Sequence, residues 1–132
     1  MSKNLWAKKG QKYLLIGYPP CSTCKKAEKY LQSHELQYDY RNIKIESLNK
    51  KEIEEIWKKS GRELKKFFNT SGILYREQGL ARRLPGLSED EQLKLLASDG
   101  MLVKRPILLY CPDGEIEAVC VGFREKEWEA LV

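Results

Sequence analysis

Cys21 and Cys24 are separated by two residues in the stretch Tyr18-Pro19-Pro20-Cys21-Ser22-Thr23-Cys24-Lys25-Lys26, directly after an apolar run and directly before an amphipathic one. A Cys-x-x-Cys pair admits three readings: a dithiol for redox chemistry, half of a zinc site, or two inert thiols. Zinc lacks further ligands here, because the single histidine, His34, lies at the far end of the following helical pattern and Cys111 and Cys120 show no ligand spacing. Inert thiols are poorly suited to a strand-to-helix turn with an exposed first cysteine. Redox chemistry has a physical basis at this place. The first N–H groups of a helix have no partner within it, and the aligned peptide dipoles put partial positive charge there, so a thiolate is favoured over a thiol. Helix N-termini, neighbouring cations and the Cys-x-x-Cys spacing each depress a cysteine pKa, to roughly 3.5–7.5 in known cases. Lys25, Lys26 and Lys29 offer such cations to Cys21, and their charge also attracts anionic substrates.

These side chains need elements to hold them. Tyr13-Leu14-Leu15-Ile16-Gly17, followed by Pro19 and Pro20, has the pattern of a central strand buried on both faces. Cys24, Ala27, Tyr30 and Leu31 then recur at helical spacing. They predict a helix from about Cys21 to Ser33 that turns Cys24 inward, leaves Cys21 exposed and sends the three lysines to solvent. Residues 36–43 alternate, with Leu36, Tyr38 and Tyr40 against Gln37, Asp39 and Arg41, and read as a second strand. A helical connection makes the two strands parallel.

Residues 47–104 hold helices and loops. Asn49 with Glu52 and Ser88 with Glu91 read as capping pairs, Gly61 and Asp99-Gly100 as stop signals, and 62–68 as a short helix. Sheet returns at 106–111 and 116–121, joined at Pro112-Asp113-Gly114, where Asp-Gly signals a hairpin. That turn places Cys111 opposite about Ile116 and Cys120 opposite about Ile107, so the two sulfurs are not paired and read as core residues. Trp128 and Leu131 face inward on a closing helix. The order β-α-β, helical insertion, β-β-α is the α/β layout of a thioredoxin-like domain with a mixed sheet. Residues 1–11 read as a polar, basic arm with Trp6 docking on the body. Residues 12–132 read as one domain with its helical insertion at about 47–104.

Other constellations have weaker signals. Lys104-Arg105-Pro106 opens a strand with a proline. Lys65-Lys66-Phe67-Phe68-Asn69-Thr70-Ser71-Gly72 carries two adjacent aromatics that can only partly enter one core, ahead of a run with turn chemistry. Lining the mouth of a site and simply ending a helix are equal readings of it. His34 suits a surface position at a helix C-terminus.

Composition sets bounds. A formal net charge of +5 is spread among interspersed acids and bases, as on a solvated face, and demands no nucleic acid. No apolar run exceeds five residues, too short for a membrane span. Four cysteines without a framework of spacings, and no apolar leader, set an expectation of a reducing cytoplasm.

The motif around Cys21, with Lys66-Phe67-Phe68-Asn69-Thr70-Ser71-Gly72, Tyr75-Arg76-Glu77, Leu96-Ala97-Ser98-Asp99-Gly100, Leu102-Val103-Lys104-Arg105-Pro106-Ile107 and Val121-Gly122-Phe123, resembles one thioredoxin-fold family. That family contains the glutaredoxin-dependent arsenate reductases and the Spx/MgsR-type regulators. The resemblance implies a cis Arg105-Pro106 bond lying against the active cysteine, Cys21 as nucleophile, Cys24 as resolving thiol and Arg105 as an anion-holding cation. It implies substrate contacts from Ser22, Thr23, Asn69 and Pro106. Asn69 and Gly122 stand where the arsenate reductases carry further arginines, so a weak or vestigial arsenate reductase is implied within a broader thiol-disulfide oxidoreductase. Ala27, six residues after Cys21, excludes the phosphatase-type arsenate reductases, which need arginine there. No bound cofactor or metal is implied; glutathione, glutaredoxin or thioredoxin is the expected electron donor. The alternative is a redox-sensing regulator that binds RNA polymerase.

Overall fold

The computed structural model describes Trp6 and residues 11–132, so most of the expected N-terminal arm lies outside the described residues. The chain divides into two compact units, one made of the residues up to Asn42 with Arg105–Val132, the other of Ile43–Lys104.

The first unit is built on β1 (Tyr13–Gly17), whose five residues are all buried. It is central because both edges are paired. The sheet order is β2-β1-β3-β4, with β2 (Asp39–Asn42) parallel to β1 and β3 (Ile107–Tyr110) antiparallel to it. β4 (Ala118–Val121) runs antiparallel to β3. Between β1 and β2 lies α1 (Ser22–Ser33), which buries Cys24, Ala27 and Leu31. Tyr13, Leu15, Ala27, Leu31, Leu108, Cys120 and Trp128 form one buried cluster, with Tyr30, Tyr40, Phe123 and Leu131 packed against it. Trp128, on α6 (Glu125–Glu129), is fully buried and donates its indole N–H to the Gly122 carbonyl at 3.1 Å. Truncating such a side chain to alanine costs about 3–5 kcal/mol. The element order and mixed sheet are the α/β, thioredoxin-like arrangement expected.

Two details differ from the sequence reading. β2 is shorter than 36–43 because α1 ends through a two-bond turn. Glu35 adopts a left-handed φ of 55°, its N–H donates to Gln32 at 3.0 Å, and the Leu36 N–H reaches back to Leu31 at 3.1 Å. The hairpin register is shifted by one: Leu108 pairs with Cys120 and Ile107 with Val121. The turn falls at Pro112-Asp113-Gly114, as expected, but is centred one position before Asp113-Gly114. Cys111-Pro112-Asp113-Gly114 forms a turn closed by the Gly114 N–H on the Cys111 carbonyl at 3.1 Å, and only Gly114 has positive φ, 84°. Proline at the second position fixes that choice, because its φ is locked negative. Cys111 and Cys120 are buried core thiols, as expected. The Trp6 N–H donates to the Gly114 carbonyl at 2.9 Å.

The second unit is helical: α2 (Lys50–Ser60), α3 (Ile73–Glu77), α4 (Leu80–Arg83) and α5 (Glu89–Ser98), with single 3-10 turns at Leu64–Phe67, Leu84–Gly86 and Gly100–Leu102. Both expected capping boxes form, Asn49 with Glu52 on α2 and Ser88 with Glu91 on α5, and Gly61 ends α2 at φ 69°. A Cβ on Gly100 would lie 2.3 Å from the Ile43 carbonyl oxygen, so the backbone approach there excludes a side chain. Phe67 and Phe68 are both 1% exposed, where only partial burial was expected. The 3-10 turn ends at Phe67 and Phe68 is extended, bridged antiparallel to Val103, so successive side chains point apart and each finds cover. Among the described residues no helix is long and apolar enough to cross a membrane.

Candidate active site

Where β1 stops at Gly17 the chain turns into α1 within four residues. The Cys21 N–H closes that turn on the Tyr18 carbonyl at 2.9 Å. Cys21 is then the N-cap residue, with extended φ −72° and ψ 125°, and its carbonyl accepts the first intrahelical bond from Lys25 at 3.1 Å. One helical turn sets the pair on the same side of α1 at different depths: Cys21 is half-buried, Cys24 is fully buried, and both are free thiols. The Tyr18 N–H donates to the Cys24 sulfur at 3.4 Å.

Burial pushes the Cys21 pKa up, but the opposing influences win and it lies below its ordinary value. These are the Cys24 amide N–H, the Cys24 thiol bonded to the Cys21 sulfur, the positive charge of Arg105 and the Thr23 amide N–H. Cys24 moves the other way. Burial, reinforced by the bond to Cys21 and by its charge, pushes the Cys24 thiol up to about 12, against the opposing pull of the Tyr18 N–H and Arg105. Cys21 is therefore the member of the pair that ionises first, with Cys24 holding its proton.

Arg105 is the cation at this site. Lys25, Lys26 and Lys29 are exposed, and the charge that bears on Cys21 is the guanidinium rather than the ammonium groups expected from sequence. The Arg105 guanidinium lies over the Tyr18 ring, 5.2 Å from its centroid. Its Nε and Nη1 are buried and have no hydrogen-bond partner. A planar donor fork without an acceptor suits a carboxylate-like or oxyanion ligand. The Arg105–Pro106 bond is cis, and the buried Pro106 accepts at its carbonyl from the Gly122 N–H at 2.8 Å. Gly122 has φ 79°, a left-handed conformation that disfavours a side chain.

Among the remaining expected contacts, Ser22 and Thr23 are exposed in the first turn of α1. Asn69 belongs to the helical unit, where its N–H donates to Leu102 at 2.8 Å and its side-chain amide to Met101 at 3.4 Å. His34 is exposed at the end of α1, its ring 4.3 Å from that of Tyr30, in the surface position expected. Among the described residues no group of three His, Cys, Asp or Glu is placed to hold a metal. Sequence reasoning missed Tyr18 and Tyr40. Tyr40 surrounds the pair from β2, and a Cβ on Gly17 would fall 2.8 Å from its hydroxyl. The available signal was Gly17 itself, a glycine at the end of a buried strand, which marks a close approach by another group.

Comparison with known proteins agrees with this geometry. The ArsC family model matches residues 16–131. The uncharacterized protein YusI of Bacillus subtilis is 50% identical over 112 residues, covering 85% of this chain and 91% of that one. The crystal structure of a possible arsenate reductase from Streptococcus mutans is 40% identical, with a TM-score of 0.77 over 91% of this chain and 99% of its own. The global transcriptional regulator Spx of Enterococcus faecalis is 30% identical over 109 residues, covering 83% of this chain and 77% of that one. A match spanning strand, cysteine turn, helical unit and closing hairpin leaves one assignment: the chain belongs to the ArsC family.

Proposed function

We propose that this protein is a cytoplasmic thiol-disulfide oxidoreductase in which Cys21 is the nucleophile, Cys24 the resolving thiol and Arg105 the anion-holding cation. One observation carries this reading: Cys21 stands half-buried at the N-cap of α1 with Cys24 buried three residues on, and the Arg105 guanidinium that acts on both sulfurs has buried donors without a partner. The Cys21 thiolate attacks one sulfur of a disulfide R–S–S–R, forming Cys21–S–S–R and releasing RS⁻. Capture of the Cys21 sulfur removes its negative charge, and with it two of the causes that hold the Cys24 proton. The Tyr18 N–H and Arg105 still favour the Cys24 thiolate. Cys24 then loses its proton and attacks the Cys21 sulfur, the bond to R breaks, and the second RS⁻ leaves. The resulting Cys21–Cys24 disulfide takes two electrons from glutathione, glutaredoxin or thioredoxin. Ser22 and Thr23, exposed beside Cys21, and Pro106, next to Arg105, are the substrate contacts of this reading. Asn69 is offered as a further contact from the family resemblance.

The test is turnover of oxidised glutathione with reduced thioredoxin, and separately of arsenate with glutathione, glutaredoxin or thioredoxin. Cys21→Ser should abolish it, and Cys24→Ser should stop at a mixed disulfide on Cys21 that intact-mass measurement detects. Full activity in Cys21→Ser would overturn the proposal. The likeness to Spx favours a second reading, a redox-sensing regulator of RNA polymerase. It predicts no turnover, and co-purification with polymerase in only one redox state of the pair.

A further inference from the structure

Tyr40 sits on β2 opposite Leu15, its ring packed against the core cluster of the first unit. Its hydroxyl is buried and has no hydrogen-bond partner. An unpaired buried hydroxyl is unfavourable, and native structures retain few of them without a reason. The surroundings supply one. A Cβ built on Gly17 would lie 2.8 Å from the Tyr40 hydroxyl and 3.2 Å from the Cys24 sulfur. Glycine therefore keeps open the space between a hydroxyl without an acceptor and the thiol that must become an anion.

We infer that Tyr40 is a positioning residue for the resolving step, its hydroxyl donating to the Cys24 sulfur across the gap over Gly17 as Cys24 becomes a thiolate. The inference rests on the dithiol reading above. The groups around Cys24 are Cys21, Arg105 and the Tyr18 N–H, and those around the Tyr40 hydroxyl are Cys24, Glu28, Cys21 and Tyr38. Arg105 is the one cation among them, and it acts on both sulfurs. Burial and the negative charges of Cys24, Glu28 and Cys21 raise the Tyr40 pKa, so the phenol keeps its proton and can serve only as a neutral donor. In the step itself the Cys24 proton passes to solvent, the Cys24 sulfur bonds to the Cys21 sulfur, and the thiolate held there leaves. Tyr40 supplies a hydrogen bond to the attacking anion and no electrons.

The experiment is single-turnover reaction of the full chain with oxidised glutathione, acid-quenched and followed by intact mass. Two rates are read: formation of the glutathione adduct on Cys21, and its replacement by the internal disulfide. Tyr40→Phe deletes one oxygen. It should leave adduct formation unchanged and slow its resolution about tenfold at neutral pH, the usual size for losing a hydrogen bond to a charged group. The deficit should narrow as pH rises, because a growing share of Cys24 is already ionised without help from a donor. The thermal midpoint should stay or rise, because an unpaired hydroxyl has gone. Gly17→Ala fills the gap and should slow the same step, and the double variant should be no slower than the worse single.

Equal resolution rates in Tyr40→Phe and wild type would overturn the inference. So would a matched loss in both steps with a lowered midpoint, which is the signature of a purely structural tyrosine, or additive losses in the double variant. Failure of wild type to form any internal disulfide is a different result, and it removes the dithiol reading itself.

Discussion

α1 and α2 are close in length, yet their ends are finished differently. At the start of α2 the Asn49 side chain accepts from the Glu52 N–H at 2.8 Å, and Glu52 returns to the Asn49 N–H at 3.0 Å. α5 repeats the device with Ser88 and Glu91. In α1 the same two positions, N-cap and three residues on, are Cys21 and Cys24. Its first turn carries no acid. At the far end, Gly61 closes α2 in the left-handed conformation, while Glu35 takes that conformation after α1. α2 and α5, which have no assigned chemistry, are capped for stability. In α1 the amides that would satisfy an oxygen cap face a sulfur, and the stabilisation goes into its thiolate.

Cys21→Ser breaks the contrast most directly. It makes α1 resemble α5, with a hydroxyl at the cap. Thiol exchange should fall by about a thousandfold or more, because the nucleophile is gone. Stability should hold or rise by up to about 1 kcal/mol. A disulfide-exchange assay beside a urea midpoint reads both. Arg105→Ala comes next. Losing the guanidinium raises the Cys21 pKa toward its ordinary value and should slow exchange with anionic disulfides by about tenfold to a hundredfold. Arg105→Lys should recover only part, since an ammonium lacks the planar fork. Unchanged rates in Arg105→Ala would mean that the helix end alone activates the sulfur.

The asymmetry between these helices was largely legible in the residues, because caps are local signals. Asn49, Ser88, Gly61 and the Cys-x-x-Cys turn each announce themselves within four positions. The central strand was legible for the same reason, as a short apolar run cut off by Gly17 and prolines. α3 and α4 were not. α3 buries no side chain and presents Ile73 67% exposed, so it has no apolar stripe to read. The hairpin slipped by one residue because Pro112 overrode the Asp-Gly signal, and two choices of turn differ by one position in register. Tyr40 bears on the cysteines from β2, through a pairing that no local pattern encodes, whereas Arg105, two residues before β3, was reached through the family resemblance. The lysines nearest in sequence are exposed on α1, as expected, while the guanidinium of Arg105 acts on both sulfurs.

Smaller effects sharpen the comparison from the other side. Asn49→Ala and Ser88→Ala each remove an oxygen cap and should cost about 1 kcal/mol in denaturant unfolding while leaving thiol exchange untouched. A change in exchange rate with either would show that the capped helices are coupled to the chemistry. Glu35→Gly relieves a non-glycine residue held at φ 55° and should stabilise by about 0.5–1 kcal/mol. A loss of stability there would show that the Glu35 side chain contributes more than its backbone conformation costs.

The pH dependence separates the two kinds of helix end. Bonds from the Ser88 N–H and hydroxyl hold the Glu91 carboxyl below its ordinary value, on an exposed face. An acid whose pKa folding depresses stabilises the native state above its unfolded pKa, and that contribution disappears as pH falls through the folded pKa. The α5 cap should therefore weaken only on the acid side of the carboxylate range, and Ser88→Ala should flatten that limb of a stability-pH curve. Cys21 is also depressed, so its thiolate should appear below the usual thiol range, and exchange should level off before ordinary cysteines ionise. Cys24 has the opposite sign. With its pKa pushed up to about 12 by burial, folding disfavours its ionisation, and stability should decline as pH climbs from the ordinary thiol value toward that figure. Cys24→Ala should remove the part of that decline that begins at the ordinary thiol value, leaving the part that Tyr13, Tyr38 and Tyr40, whose pKa values burial also raises, contribute at higher pH, and leaving the acid limb in place. An unchanged onset of the decline in the variant would assign it to other groups, and the pair would then lack the opposed acidities on which resolution depends.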